Sequence, residues 1–215
     1  MVKKIKIAID AMGGDNAPKK IVDGIKLHAK VSKDCFYKIF GDIDEINKHI
    51  NSEIDKDKFE VHHTKEKIEG SDSALTAAKK GKNTSMWLTI ESVKKRESNI
   101  AISAGNTGAL FVIAKLNLEM INNIDKPALA GLWPNKKGTN VVLDLGASID
   151  CNEKNLVDFS LMGSALHKAL YPSENPNVAI LNIGSEEIKG HEIIKKAYEL
   201  LNSKNNNSFK FNGYI

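Results

Sequence analysis

Four short stretches concentrate the residues able to do chemistry in this sequence: Asp10 with MGGD at 12–15, SAGNTG at 103–108, LDLGASID at 143–150 and LNIGSEEIKG at 181–190. Each joins glycine to small hydroxyl, carboxamide or carboxylate residues. Glycine-rich loops that run into helices present backbone N–H groups and a partial positive charge, which suits phosphate or carboxylate. Gly13, Gly14 and Gly105 would let backbone approach such an anion, Ser103, Asn106 and Thr107 add side-chain donors, and Asp10 and Asp15 are placed to position the loops. Asn182 belongs to the fourth stretch, and Lys189, a few residues further on, offers an ammonium as a point charge for phosphate. For any single loop the plain alternative is a glycine that permits a tight turn. Asn106 and Thr107 have the alternative of capping the next helix.

Familiar machinery is missing from these loops. None matches GxxxxGK[ST] and no GxGxxG occurs, so a P-loop or a dinucleotide fingerprint does not explain them. Neither a Ser/His/Asp nor a Cys/His arrangement is legible, which argues against a covalent acyl-enzyme. Asp10, Asp15, Asp144 and Asp150 recur at strand ends without metal-ligand spacing around them, and Cys35 and Cys151 form no CxxC. The expectation is no metal and no cofactor. Lys79, Lys80 and Lys82 precede a helix-like stretch and are further candidates for an anion.

Positioning these loops requires a repeated unit, and one is present. IKIAID at 5–10, IAIS at 100–103, VVLD at 141–144 and VAILN at 178–182 are short β-branched runs, each leading into one of the loops. Stretches such as KKIVDGIKLHAK, LVDFSLMGSALHKAL and EIIKKAYELL carry apolar residues at helical spacing. The alternation predicts βαβ units, a mostly parallel sheet, and one α/β domain over 1–215. All four runs are expected to lie parallel in one sheet, with their loops on the carboxyl edge where doubly wound folds bind ligands. Pro18, Asp42 and Asn152 read as helix starts. Pro127, Pro134 and Gly138 bracket a strand near 127–133 followed by a hairpin-like turn, and FKFNGYI at 209–215 reads as one more strand.

Thirty-one Lys+Arg against 27 Asp+Glu leave a net charge of +4, too small and too dispersed for a nucleic-acid surface. The apolar run after Lys4 is stopped by Asp10, and no stretch approaches the roughly 20 apolar residues of a membrane span. A reducing cytoplasm is the expected compartment.

The sequences IDAMGGDNAP at 9–18, SMWLTIESVKKRESNIAISAGNTGAL at 85–110, DKPALAGLWP at 125–134, LDLGASID and LNIGSEEIKG resemble, in order and spacing, the phosphate acyltransferases of bacterial phospholipid synthesis. The resemblance implies a three-layer α/β/α sandwich of the isocitrate/isopropylmalate dehydrogenase type and a homodimer. It also implies transfer of a fatty acyl group from acyl carrier protein to inorganic phosphate, the acyl phosphate going on to a membrane glycerol-3-phosphate acyltransferase. Membrane contact would be at most peripheral. Lys189, matched by a family Lys, would stabilise charge, with Asn106 beside it in catalysis. Gly13, Gly14, Ser103 and Thr107 would cradle phosphate.

Departures are confined to a few positions. Lys79 and Lys80 stand where the family usually has Arg, a change that keeps charge and loses the bidentate fork. Gly81 replaces a Lys. The family pattern also continues past FNGYI, through an EGRD-like segment and a DGFTGN-like loop holding a further Asn. The expectation is therefore an N-terminal portion of about two-thirds. Two rivals remain: an NAD-dependent decarboxylating dehydrogenase of the same fold, which would need clustered Arg, and a non-catalytic fragment that binds carrier protein.

Overall fold

The computed structural model describes residues 4–50, 53–136, 138–148, 150–184, 190–203 and 208–215. Contacts divide the chain into two compact units, Met1–Glu119 and Met120–Ile215.

The first unit runs β1 (Ile5–Asp10), α1 (Lys19–Val31), β2 (Cys35–Gly41), α2 (Ile43–Asn47), a single 3-10 turn at Lys56–Lys58, β3 (Phe59–His63), α3 (Ala74–Lys80), α4 (Ser85–Lys94), β4 (Ile100–Ser103) and α5 (Thr107–Asn117). Its strands form one parallel sheet in the order β3-β2-β1-β4. Side chains alternate between the two faces of each strand. Ile7, Ile9, Tyr37 and Ile39 point to one face and pack with Val22 and Ile25 of α1 and Ile46 of α2. On the other face α4 lies across β1, β2 and β4, and its Met86, Trp87 and Ile90 join Ala109 and Ile113 of α5. Helix starts follow side-chain chemistry: Asp42, Ser73, Thr84 and Asn106 each accept a backbone N–H two or three residues on. Pro18 occupies the position before α1.

The second unit runs β5 (Ala130–Asn135), β6 (Gly138–Leu143), α6 (Glu153–Leu170), β7 (Asn177–Ile180), α7 (Glu192–Ser203) and β8 (Lys210–Tyr214). Asn152 and Asn155 form a reciprocal capping box at the start of α6. Val157, Ile180, Ala197, Leu201 and Phe209 form its core, and Tyr198 of α7 stacks on Tyr214 at 4.7 Å.

The protein is thus α/β with mostly parallel strands. One expectation needs correction: VVLD does not run parallel in a common sheet with IKIAID and IAIS. It belongs to β6, which pairs antiparallel with β5, and VAILN pairs with β8 in a separate ladder. The reason is connection length. Only Lys136 and residue 137 separate β5 from β6, whereas a parallel pair needs a crossover of a dozen or more residues.

Candidate anion-binding site

β1 and β4 are neighbours in the sheet, yet β1 leads into α1 on one face and β4 leads through 104–106 into α5 on the other. Their loops diverge from adjacent strand ends. This is the topological switch point at which doubly wound sheets open a ligand crevice.

Asp10 and Ser103 are register partners at the last position of the two strands. Asp10 is 1% exposed. Its Oδ1 accepts the Met12 N–H at 3.2 Å and its Oδ2 accepts the Ser103 hydroxyl at 2.7 Å. Ser103 Oγ in turn accepts the Gly105 N–H at 3.1 Å. One carboxylate and one hydroxyl therefore tie both loops to the sheet. The glycines make this possible. A Cβ on Gly13 would stand 2.6 Å from Asp10 Oδ2 and 2.9 Å from both Gly105 N and Ser103 Oγ. Gly14, at φ +91, lies against the Ala104 carbonyl, and Gly105 lies against Met86 and Gly13.

Asn106 caps α5 through Oδ1, which accepts the Ala109 N–H at 2.9 Å. Its Nδ2 donates to the Gly70 and Asp72 carbonyls at 2.9 and 3.1 Å. Asp72 also binds the Lys80 ammonium, and that bond, with a second from the Glu69 N–H, holds its carboxyl below the usual range. Segment 70–72 and with it Lys80, one of the lysines expected near an anion, are thus drawn to the α5 N-terminus through a contact that spans 34–36 residues and leaves no local pattern. The only signal for it was an Asn at a helix start.

Of the residues expected to hold an anion, Asp10, Gly13, Gly14, Ser103, Gly105, Asn106 and Thr107 come together here. The Ser103 proton and both Asn106 N–H groups are committed to the scaffold. Thr107 is exposed, and the N–H groups of Thr107 and Gly108, the first two of α5, have no intrahelical acceptor. Asp15 is exposed in the same loop as Gly14. Asn182 lies in the second unit, where its N–H donates to the Ile215 carbonyl and its Nδ2 to that of Gly184. Lys189 lies outside the described residues. Asp144 accepts the Ser148 N–H and the Cys151 thiol. Burial and the hydrogen bond to Asp144 push that thiol up. Among the described residues no three His, Cys, Asp or Glu side chains are grouped as metal ligands. Arg96, the one Arg of the chain, follows α4 close to Asn99, whose N–H donates to Lys6 where β1 begins. It therefore stands at the opposite edge from the crevice, where it does not serve a dicarboxylate site.

A doubly wound α/β unit with stitched glycine loops and a helix N-terminus at its switch point is a geometry that suits an anion. Residues 5–215 match the family described as fatty acid synthesis protein, and the chain belongs to that family. It is 62% identical over 215 residues to a phosphate acyltransferase of Pelagibacter ubique, covering all of this chain and 64% of that protein. With a phosphate acyltransferase of Bradyrhizobium diazoefficiens the identity is 39% over 217 residues, covering 100% and 62%. The chain thus spans a little under two-thirds of these curated relatives. Among solved structures it resembles the EutD phosphotransacetylase from Staphylococcus aureus, with TM-score 0.63 and 13% identity over 99% of this chain and 69% of the other. That likeness concerns the fold. Among the described residues no helix is long and apolar enough to cross a membrane.

Proposed function

We propose that this chain carries the phosphate cradle of an enzyme that transfers an acyl group to inorganic phosphate. The observation that carries the reading is the switch point, where Gly13 and Gly14 lie against Gly105 and Ala104 just before the head of α5, whose Thr107 and Gly108 N–H groups have no intrahelical acceptor. Phosphate would be held by those N–H groups and the Thr107 hydroxyl, with the α5 dipole behind them. Ser103, Asp10 and Asn106 would act one step back, by keeping the two loops in register.

The chemistry needs no enzyme nucleophile. A phosphate oxygen attacks the thioester carbonyl, forming the C–O bond and an oxyanion. Collapse of that intermediate breaks the C–S bond, the thiolate leaves with the electron pair, and the proton of hydrogen phosphate goes to the thiol. A preorganised donor aimed at the developing oxyanion is worth about 3 kcal/mol, and Lys189 is assigned that charge. The donor in this reading is a fatty acyl thioester of acyl carrier protein. The acyl phosphate passes to a membrane glycerol-3-phosphate acyltransferase, and the working protein is a cytoplasmic homodimer with at most peripheral membrane contact. The relatives' names support acyl transfer to phosphate, and the family resemblance supports the donor.

Two measurements test it. In a 15N-labelled chain, phosphate should shift the amide resonances of Gly13, Gly14, Thr107 and Gly108 saturably. With an acyl thioester, thiol release should require phosphate and be matched by acyl hydroxamate on trapping. Shifts confined to surface lysine neighbourhoods, or thiol release indifferent to phosphate, would overturn the assignment.

A further inference from the structure

Lys80, the last residue of α3, turns its ammonium back along the helix. It donates to the Asp72 carboxylate, eight residues earlier and ahead of the Ser73 cap. The reach is short enough because helical side chains lean toward the N-terminus and the seven residues of α3 span only about 10 Å. Asp72 is itself fixed. Its carboxylate also accepts the Glu69 N–H at 2.7 Å, its N–H donates to the Glu69 carbonyl at 3.1 Å, and its carbonyl accepts from Asn106, the cap of α5. α3 and α5 adjoin at their starts, since a Cβ on Gly108 would stand 3.9 Å from that of Ala74. One residue thus joins the ammonium to the head of α5. Holding the loop does not account for the ion pair, because Asn106, the Glu69 turn and the Ser73 cap already do that. A partly exposed pair adds little stability, and ordering a lysine side chain costs at least as much. What the pair does supply is a direction for the charge. Lys79 and Lys82 of the same stretch are exposed, and among the described residues neither forms an ion pair. An ammonium beside a helix N-terminus opposes the helix dipole. Asp72 offsets that repulsion in part, and an anion on the Thr107 and Gly108 N–H groups would turn it into attraction. The Lys80 side chain is 33% exposed and that of Asp72 12%, so an anion reaches the ammonium and not the carboxylate behind it.

We propose that Asp72 is a positioning residue of the phosphate site: it aims the Lys80 ammonium at an anion seated at the head of α5, and Lys80 binds that anion from the side while the α5 dipole meets it along the axis. The inference rests on the reading of that head as a phosphate cradle. Lys80 serves bound phosphate, apart from the oxyanion charge assigned to Lys189, so its loss shows in phosphate affinity.

Titrations of the 15N-labelled chain with inorganic phosphate, read at Gly13, Gly14, Thr107 and Gly108, test it. Lys80→Gln should weaken binding about tenfold, the lower end for a hydrogen bond to a charged group, and Lys80→Arg should retain most of the affinity. Asp72→Asn, which keeps an acceptor for the Glu69 N–H, should weaken binding about threefold, the scale of a partly exposed ion pair. It also keeps the test open should Lys80→Gln fail to fold. In the double variant the losses should not add, because Asp72 acts through Lys80. Additive losses or an unchanged affinity in Lys80→Gln would overturn the proposal. So would tighter binding in Asp72→Asn, which would make the carboxylate a competitor for Lys80, or a lowered melting temperature of that variant with its phosphate affinity kept, which would make Asp72 structural only. The unsubstituted chain separates the two readings. Absence of shifts at the head of α5 overturns the cradle and this inference together, whereas saturable shifts that Lys80→Gln leaves untouched overturn only the roles of Lys80 and Asp72.

Discussion

At Gly13 a side chain would strike the Gly105 backbone and the paired Asp10 and Ser103, and at Gly105 it would have to displace the end of Met86, whereas Gly138 and Gly146 look onto open space. All four belong to short turns that read alike as sequence. In the first unit the glycines let two loops touch through a buried carboxylate and hydroxyl. In the second, Gly138 and Gly146 adopt φ of +145 and +80, so glycine serves the turn itself. Glycine content alone therefore does not distinguish a loop that builds a site from one that reverses the chain. The discriminating quantity is what a Cβ would strike.

That contrast yields the largest expected effect. Gly13→Ala should cost about 3 kcal/mol, the upper end for overpacking, because its new methyl meets Asp10, Gly105 and Ser103 at under 3 Å. Gly146→Ala should cost only the left-handed backbone penalty, about 1–2 kcal/mol. Urea melts of the two variants decide the matter, together with the phosphate-induced amide shifts. Equal losses, or preserved phosphate shifts in Gly13→Ala, would break the distinction drawn between the loops.

The Asp10–Ser103 pair comes next. Ser103→Ala leaves a buried carboxylate oxygen without its donor, a loss of roughly 2 kcal/mol, and it releases the Gly105 N–H as well. The melt should show that loss, and phosphate affinity should fall with it. Had Ser103 held the anion directly, affinity would fall with stability untouched. Asn106→Ala should be milder, about 1 kcal/mol for the missing cap. Its signature is local, since hydrogen exchange should rise at 70–72 as well as at the head of α5.

Much of this architecture was legible because it is local. IKIAID and IAIS are strands at the residues expected, Asp42 and Asn152 do cap their helices, and the hairpin follows Pro127 as read. Asn106 was weighed as a cap or an anion ligand, and it is a cap. What was hidden depends on distance along the chain. Asp10 and Ser103 meet across 93 residues, and their adjacency comes from strand order, which no local pattern encodes. The Gly70 and Asp72 carbonyls that accept from Asn106 carry no side-chain signature at all. Two strands lie outside the expected common sheet: VVLD, where the brevity of the turn before it decides its direction, and VAILN, which stays parallel but in a separate ladder with β8. Lys189 stands out by its position after a strand-end loop and by family likeness, and it lies outside the described residues.

The smallest expected effect concerns the charged cluster that ties the end of α4 to the sheet at a distance from the crevice. Lys38, in the middle of β2, binds Glu97 at 2.7 Å and Glu60 at 3.3 Å. Burial pulls the Lys38 ammonium down, but the hydrogen bonds it donates to Glu97 and Glu60 outweigh it and leave it raised. The hydrogen bond and charge of Lys38 hold Glu97 below the usual glutamate range. A depressed carboxylate contributes stability that is fully present above the unfolded value, about 4.3, and lost as pH falls through the lower folded value. The raised ammonium contributes below its unfolded value, about 10.4, and loses that contribution as pH rises through the higher folded value. The Glu97→Gln deficit should therefore be constant from pH 6 to 8 and shrink below about pH 4. Glu97 is half exposed, so solvent screening limits the plateau to about 1 kcal/mol or less. Urea melts across pH measure this directly. A deficit that persists unchanged at low pH would mean that Glu97 acts through packing and not through charge. A loss of phosphate binding in the same variant would couple this edge of the sheet to the crevice and erase the separation between scaffold and site.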